Sequence, residues 1–166
     1  MSVRPIVRYP DPRLRHRADP VGEVDAATRD CVEDLTDTLL ALSAIGLTAP
    51  HVGVKLRIMV IRLPGDPGPR VFLDPEILWM SDDRLRHTEG SVSMPGVTDE
   101  VERPGRVRMR FRDSVGTVHE EEADGFRAAC WQHEIDQLDG IFWIDHLSRL
   151  RRERLLKRYG KTFRRS

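Results

Sequence analysis

The stretch Trp131-Gln132-His133-Glu134-Ile135-Asp136-Gln137-Leu138-Asp139-Gly140 decides how this chain is read. It has the form of the second half of a helix that stops at glycine, the favoured residue for a left-handed cap. His133 and Gln137 are four residues apart, so they lie on one helical face. A histidine at 137 would complete H-E-x-x-H, two zinc-type ligands with a carboxylate between them as general base. Glutamine stands there instead, and the remaining question is whether that change ends the chemistry or redirects it.

At 166 residues, 39% of them hydrophobic, the chain has the length and composition of one soluble domain, taken as 1–166. No apolar run approaches the ~18 residues needed to cross a bilayer, so no membrane partner is expected. Met1-Ser2-Val3-Arg4-Pro5 is followed by no apolar run of signal-peptide length. Cys31 and Cys130 make no disulfide framework, and a reducing, cytoplasmic location is expected. The formal charge of zero hides an asymmetry. From Leu147 to Ser166 nine basic residues face one acid, Glu153, so an acidic body carries a basic tail. Such a tail reads either as a solvated helix face or as a contact for nucleic acid or ribosome.

Along the chain, Tyr9-Pro10-Asp11-Pro12 is an irregular opening. Asp25 caps a helix reaching about Ala44, with Cys31, Leu35, Leu39 and Leu42 as its buried stripe. A small-residue segment, Ala44 to Gly53, then lets a ligand backbone come close. Strands are expected at Arg57–Ile61 and Val71–Leu73, and Glu89 to Gly96 reads as a loop. Val107, Met109 and Phe111 alternate with Arg108, Arg110 and Arg112, the period of a half-buried strand; Gly116 turns it into a partner, Thr117–Glu122. The helix of the opening stretch starts near Asp124. Ile141-Phe142-Trp143-Ile144 reads as a short buried strand, and a last helix starts at Leu147. The expected class is α+β, with mixed or antiparallel strands around one central helix of the HExxH type and a C-terminal helix.

Three segments in register, Ala44-Ile45-Gly46-Leu47-Thr48-Ala49-Pro50-His51, Glu89-Gly90-Ser91-Val92-Ser93 and Gln132 to Gly140, resemble the three motifs of bacterial peptide deformylases. The resemblance covers nearly the whole chain and implies that family's fold. It further implies that positions 91, 133 and 137 correspond to the family's metal ligands, a cysteine and two histidines that hold Fe(II), Zn or a similar ion. Position 134 corresponds to its proton-moving glutamate and position 51 to a glutamine that donates to the developing oxyanion. Here those positions are Ser91, His133, Gln137, Glu134 and His51, so only two of the five keep the family residue. Arg103 matches a family arginine beside Glu89, and Thr98 stands where the family has an arginine that helps to hold the peptide.

A serine hydroxyl carries no charge at neutral pH, and an amide oxygen is a poorer donor to Zn or Fe(II) than imidazole. No tightly bound family-type metal is expected. Two rearrangements stay open: His51 joining His133 and Glu134 as a rebuilt His-His-carboxylate set that holds residual Zn or Fe, and Ser91 acting as a nucleophile with His133 as base. Ligands of one tetrahedral ion lie about 3.3–3.8 Å apart, so a kept fold would set Ser91 near hydrogen-bonding distance of His133. The plainer expectation is a polar network, Ser91–His133–Gln137, filling the hole. Gly46, Val92, Cys130, Gln137 and Arg103 are the expected ligand-binding residues, with Glu134, His133, His51 and Ser91 as the chemical ones. His16, His87, His119 and His146 are read as surface or local hydrogen-bonding residues, Cys31, Trp131 and Trp143 as packing.

Three functions fit these residues. The first is a deformylase-like protein with ordinary activity weak or absent and a pocket for a formylated or acylated peptide-like ligand. The second is a repurposed amide hydrolase or acyl-transfer enzyme. The third is a ribosome-associated protein acting through its C-terminal helix, as family members with such a helix imply.

Overall fold

The computed structural model describes residues 2–165, with side chains through 163; Ser166 and the side chains of Arg164 and Arg165, counted in the basic tail, lie outside that range, as does Met1. Helix α1, Ala26–Leu42, begins where expected because Asp25 accepts the Thr28 backbone N–H on its side chain. Strands β1 (Gly46–Thr48), β2 (Ile58–Ile61), β3 (Arg70–Met80), β6 (Arg106–Arg112) and β7 (Val118–Asp124) form a sheet in the order β1-β2-β3-β6-β7. Strands β4 (Arg84–Ser91) and β5 (Met94–Pro104) form a separate hairpin. All these strand pairs are antiparallel. Helix α2 is Gly125–Leu138 and helix α3 is Arg149–Arg165.

Strand β2 shows why α2 becomes central. Its four residues are all buried, because successive side chains face opposite sides of the sheet and both sides are covered. Ile58 and Val60 join Cys31, Leu35 and Leu39 of α1. Met59 and Ile61 join Phe72, Val107, Met109 and Phe111 around Ala128, Trp131 and Ile135 of α2. The hairpin has its own core: Met94, Val97 and Val101 pack on Phe142, Trp143 and Ile144 and on Leu155 and Tyr159 of α3. Helix α2 therefore carries apolar side chains to the sheet while its His133 and Arg103-facing side meets the hairpin. Its stop is fixed twice over, since Gly140 has φ +77° and a Cβ there would strike the Arg15 carbonyl.

Four expectations are corrected. The stretch from Glu89 to Gly96 is not a loop; two long strands meet there, with Ser91 paired to Met94 across a tight turn at Val92-Ser93. Strand β3 runs well beyond Leu73, passing Asp74-Pro75 with a break in register rather than ending. Asp74 takes φ +48° and accepts the Val21 backbone N–H on its carboxylate, which holds the irregularity in place. Ile141–Ile144 forms no strand, and Trp143–His146 winds into a single 3-10 turn. A short apolar run does not distinguish a strand from a buried turn. Leu42 leaves the buried stripe because Ser43 reverses the chain in the left-handed region, and its side chain is 46% exposed. No described helix is long and apolar enough to cross a membrane.

Candidate functional site

Between α2, the β4–β5 hairpin and the segment after α1 lies a cavity of about 340 Å³. Gly46, His51, Ser91, Val92, Cys130, His133 and Glu134 all line it, so the structure brings together seven of the nine residues expected to form a site. Gln137 and Arg103 are not in its wall. Leu42, Ala44, Ile45, Phe126 and Ala129 supply apolar surface, and His87 and Glu89 contribute from β4.

His133 projects from α2 toward β4, where its Nδ1 donates to Glu89 Oε1 at 2.7 Å. Glu89 in turn accepts from Arg103 Nε at 2.6 Å and Nη2 at 2.9 Å, and Arg103 Nη1 donates to Asp136 at 2.7 Å. His146 adds a 2.8 Å contact to the same Asp136 oxygen. Arg103 is thus a buried brace beneath the site rather than a surface that touches ligand. Burial pushes the Glu89 carboxyl up, but the bonds from His133 and Arg103 outweigh it and hold the group down at about 2. For His133 burial favours the neutral ring, and the Glu89 bond with the charges of Glu134 and Glu89 outweighs that, raising its pKa. The Glu89 bond also fixes the ring, presenting Nε2 away from Nδ1's carboxylate partner.

Glu134 follows His133 on α2, and its Oε1 lies 3.6 Å from His133 Nε2. Burial raises its pKa, His133 works against the rise and Glu89 adds to it. Its Oε2 is buried with no partner among the described residues. A Cβ on Gly46 would stand 2.8 Å from that oxygen, so glycine at 46 is what lets the carboxyl group occupy this place.

His51 sits in the 3-10 turn Ala49–Val52 and is 1% exposed. The Thr48 backbone N–H donates to its Nδ1 at 2.9 Å, with Thr48 Oγ1 at 3.0 Å. A backbone amide only donates, so Nδ1 is the acceptor nitrogen and the neutral ring carries its proton on Nε2. Burial, helped by the charge of nearby His133, pushes the His51 pKa down to about 3, so the ring is neutral at ordinary pH. Its Nε2–H is buried and has no partner among the described residues. His51 is therefore a fixed hydrogen-bond donor, the same service a glutamine amide performs. A ligating imidazole keeps its proton on the nitrogen away from the metal, usually given to a carboxylate or carbonyl; His51 has the opposite arrangement.

The polar network Ser91–His133–Gln137 does not form. Ser91 Oγ accepts from the Ser93 backbone N–H at 3.1 Å, and no hydrogen bond joins it to His133. Gln137 is buried and donates to the Leu14 carbonyl at 2.8 Å, on the side toward the N-terminal segment. Each member of the expected network has found its own partner. The Cys130 thiol is pushed up to about 12 by burial and by the Glu134 and Glu89 carboxylates, which leaves it a packing group in the wall. Cys31 is buried in the α1 cluster. Trp131 and Trp143 are buried in the cores, His119 bonds Asp113 at 2.7 Å, and His146 has the local partner given above.

Among the histidines read as surface groups, His87 is the one misplaced. It lies two residues before Glu89 on β4, and alternation gives both the same face. That spacing is present in the sequence, but reading 89–96 as a loop leaves no strand for it to act on.

The polypeptide deformylase family model matches residues 3–153 of this chain. A protein named peptide deformylase-like from Brucella melitensis biotype 1 is 56% identical over 161 residues, 97% of this chain and 98% of that one. A peptide deformylase of Afipia carboxidovorans is 44% identical over 165 residues, covering 98% of this chain and 96% of its own length. Among solved structures, a peptide deformylase from Legionella pneumophila aligns with a TM-score of 0.93 at 35% identity, over 98% of this chain and 96% of that chain.

Proposed function

Because the chain belongs to the polypeptide deformylase family, we propose that it keeps the family's cleft for an N-formyl or N-acyl peptide while lacking its metal-dependent hydrolysis. The observation that carries this reading is the donor chemistry around the cavity. A catalytic zinc or iron site takes about three thiolate, carboxylate or neutral imidazole ligands. Here Ser91 offers a hydroxyl, Gln137 turns its amide to Leu14, and His51 presents an N–H in place of a lone pair. His133 and Glu134 remain. These residues do not fit the family's ion, and no step is derived through it.

What the residues do fit is an amide. His51 Nε2–H donates to a carbonyl oxygen, Glu134 Oε2 accepts an N–H, and Leu42, Ile45, Val92 and Phe126 take apolar parts of the chain. Both polar atoms are buried and unpartnered, and a bound amide satisfies the two together. The nucleophilic reading of Ser91 gains no support, since its hydroxyl is engaged by Ser93 and not by the imidazole.

The test is metal analysis of the purified chain, formate release from an N-formyl peptide, and calorimetric binding of that peptide. The expected result is far less than one Fe, Zn or Ni per chain, formate at background, and saturable binding. A full equivalent of metal surviving mild chelation, or rapid formate release, overturns the reading.

A second interaction belongs to the same reading. Helix α3 turns Leu155 and Tyr159 inward and leaves Arg154, Lys157, Arg158 and Lys161 exposed. This one-sided basic face supports an encounter with RNA on the ribosome.

A further inference from the structure

Helix α2 lines the cleft with Cys130, His133 and Glu134, while a different stripe of it, Gln132, Asp136 and Asp139, lines a second cavity of about 700 Å³. Spacings of four and three residues put that stripe on one helical face. Gln132 is 5% exposed, and its Nε2 donates to the Pro104 and Ala128 carbonyls, each at 3.0 Å. Two carbonyl neighbours require the nitrogen on their side, so the carboxamide oxygen is turned away from them. That oxygen accepts no hydrogen bond among the described residues, yet it is not sealed off, and the cavity is the space it meets. One turn on, Asp136 Oδ2 takes both Arg103 Nη1 at 2.7 Å and His146 Nε2 at 2.8 Å, and Oδ1 is left with no hydrogen bond among the described residues. The α2 wall therefore asks its occupant for donors.

The charge of the wall decides what else the occupant carries. Each of the five carboxylates lining this cavity has an arginine nitrogen within 2.9 Å, so a cationic ligand finds no unpaired acid. Four arginines line it as well. Arg57 and Arg103 are among those ion-pair partners, whereas Arg17 and Arg84 hold no carboxylate among the described residues. The uncompensated charge is positive. Arg84 is the one placed beside Gln132: it is the cross-strand neighbour of Pro104, whose carbonyl the Gln132 amide holds. Arg17 precedes Ala18, whose amide donates to the Leu138 carbonyl, six residues or roughly 9 Å further along α2.

We infer that this second cavity is a ligand site for a small hydroxylated phosphate, a sugar or polyol phosphate. Its hydroxyl groups donate to Gln132 Oε1 and Asp136 Oδ1, and its phosphate accepts from the guanidinium of Arg84, whose planar fork suits phosphate oxygens. A volume of about 700 Å³ is in the range of small-molecule sites, roughly 300–1,000 Å³. Neither the site nor its test depends on what the cleft binds.

The experiment is calorimetric titration of the full chain with ribose 5-phosphate, ribose and inorganic phosphate, at about 0.15 M salt to screen loose contacts with exposed basic residues. Ribose 5-phosphate should bind on the order of tenfold more tightly than either fragment, since only it serves both the acceptors and the arginine. Arg84→Gln should weaken ribose 5-phosphate by a similar factor. Gln132→Met should weaken it too and leave inorganic phosphate unchanged. No binding of ribose 5-phosphate, or binding no tighter than that of inorganic phosphate, overturns the inference. Undiminished affinity in Arg84→Gln also overturns it and assigns the phosphate to another basic surface, such as α3. Arg84 is exposed, so its variant keeps the fold and the test is decided even where Gln132→Met does not fold.

Discussion

Thr48 gives its backbone N–H to Nδ1 of His51, and burial of that imidazole, with the charge of His133 nearby, keeps it neutral. Its pKa falls from the ordinary 6.5 to about 3 on folding. The unfolded chain therefore takes up the proton first. Stability from this group is complete above pH 6.5 and is lost as pH falls from there toward 3. The acid limb of the stability profile should steepen by up to about 1.4 kcal/mol per pH unit within that window. His51→Gln, neutral at every pH, should flatten it between pH 6 and 5, where the Glu89 carboxyl has barely begun to contribute. Urea midpoints of the two proteins across this range make the comparison, and parallel curves would mean that the ring is not held as described.

Arg103 is 3% exposed and neutralises Glu89 and Asp136 together. Arg103→Leu leaves two buried carboxylates without their cation, and the expected loss is about 3–5 kcal/mol of unfolding free energy. Denaturant titration measures it. A loss below about 1 kcal/mol would show that solvent reaches these carboxylates in the native protein. The Glu89 carboxyl, held at about 2, adds a separate loss of stability as pH drops below its ordinary 4.5.

Restoring the family residues tests the scaffold. Ser91→Cys, Gln137→His and His51→Gln together return a thiolate, a second imidazole and an amide donor around the existing His133 and Glu134. The triple variant should take up about one equivalent of metal and begin to release formate. Single changes should restore little, since a metal held by two ligands lacks the geometry that acidifies bound water. Gln137 is the demanding position, because the new imidazole must leave the Leu14 carbonyl that the amide now serves. A folded triple variant with a full equivalent of metal and no formate would show that the cleft has diverged along with the ligands. Thr98, in place of the family's arginine, should keep turnover low.

For the basic helix the informative change is of charge, not length. Leu155 and Tyr159 are fully or nearly fully buried, so removing everything from Arg149 onward would strip part of the hairpin's core. Arg154, Lys157 and Lys161 are exposed, and replacing all three by glutamine should leave the fold alone. Binding to ribosomes should weaken, and the slope of log affinity against log salt should fall by about 0.7–0.9 for each phosphate that is no longer neutralised. Sedimentation across a salt series reads the slope directly. An unchanged slope would assign the helix to packing alone.

The parts of the fold legible in sequence were those where burial and alternation agree. Val107, Met109 and Phe111 announced β6, and Asp25 marked the start of α1. The hairpin was hidden because its inward face is only partly apolar: Glu89 and Arg103 occupy positions where alternation would place aliphatic residues, and their burial rests on pairing with each other and with His133 and Asp136. A single sequence does not show that pairing, so the strands looked like a polar loop, and His87 went unread with them. The motif residues gave the cavity its membership. They did not give the direction of each side chain, and Gln137 and Ser91 both turned to backbone partners that no spacing rule could supply.

The two ends of the chain meet at the hairpin. Tyr159 of α3 donates its hydroxyl to the Tyr9 carbonyl at 2.7 Å, the Tyr9 amide donates to the Ser93 carbonyl at 2.9 Å, and the Val7 amide donates to the His51 carbonyl at 2.8 Å. In the order of synthesis, the turn bearing Ser91 and Val92 and the turn bearing His51 both exist long before Tyr159 does. The segment from Val7 to Tyr9 that links these turns gains its last anchor only when α3 docks. A nascent chain halted before α3 should therefore show weak amide protection at Val7 and Tyr9 and bind peptide poorly. The strap that ties these two turns together is therefore anchored only after all seven strands and α2 have been made.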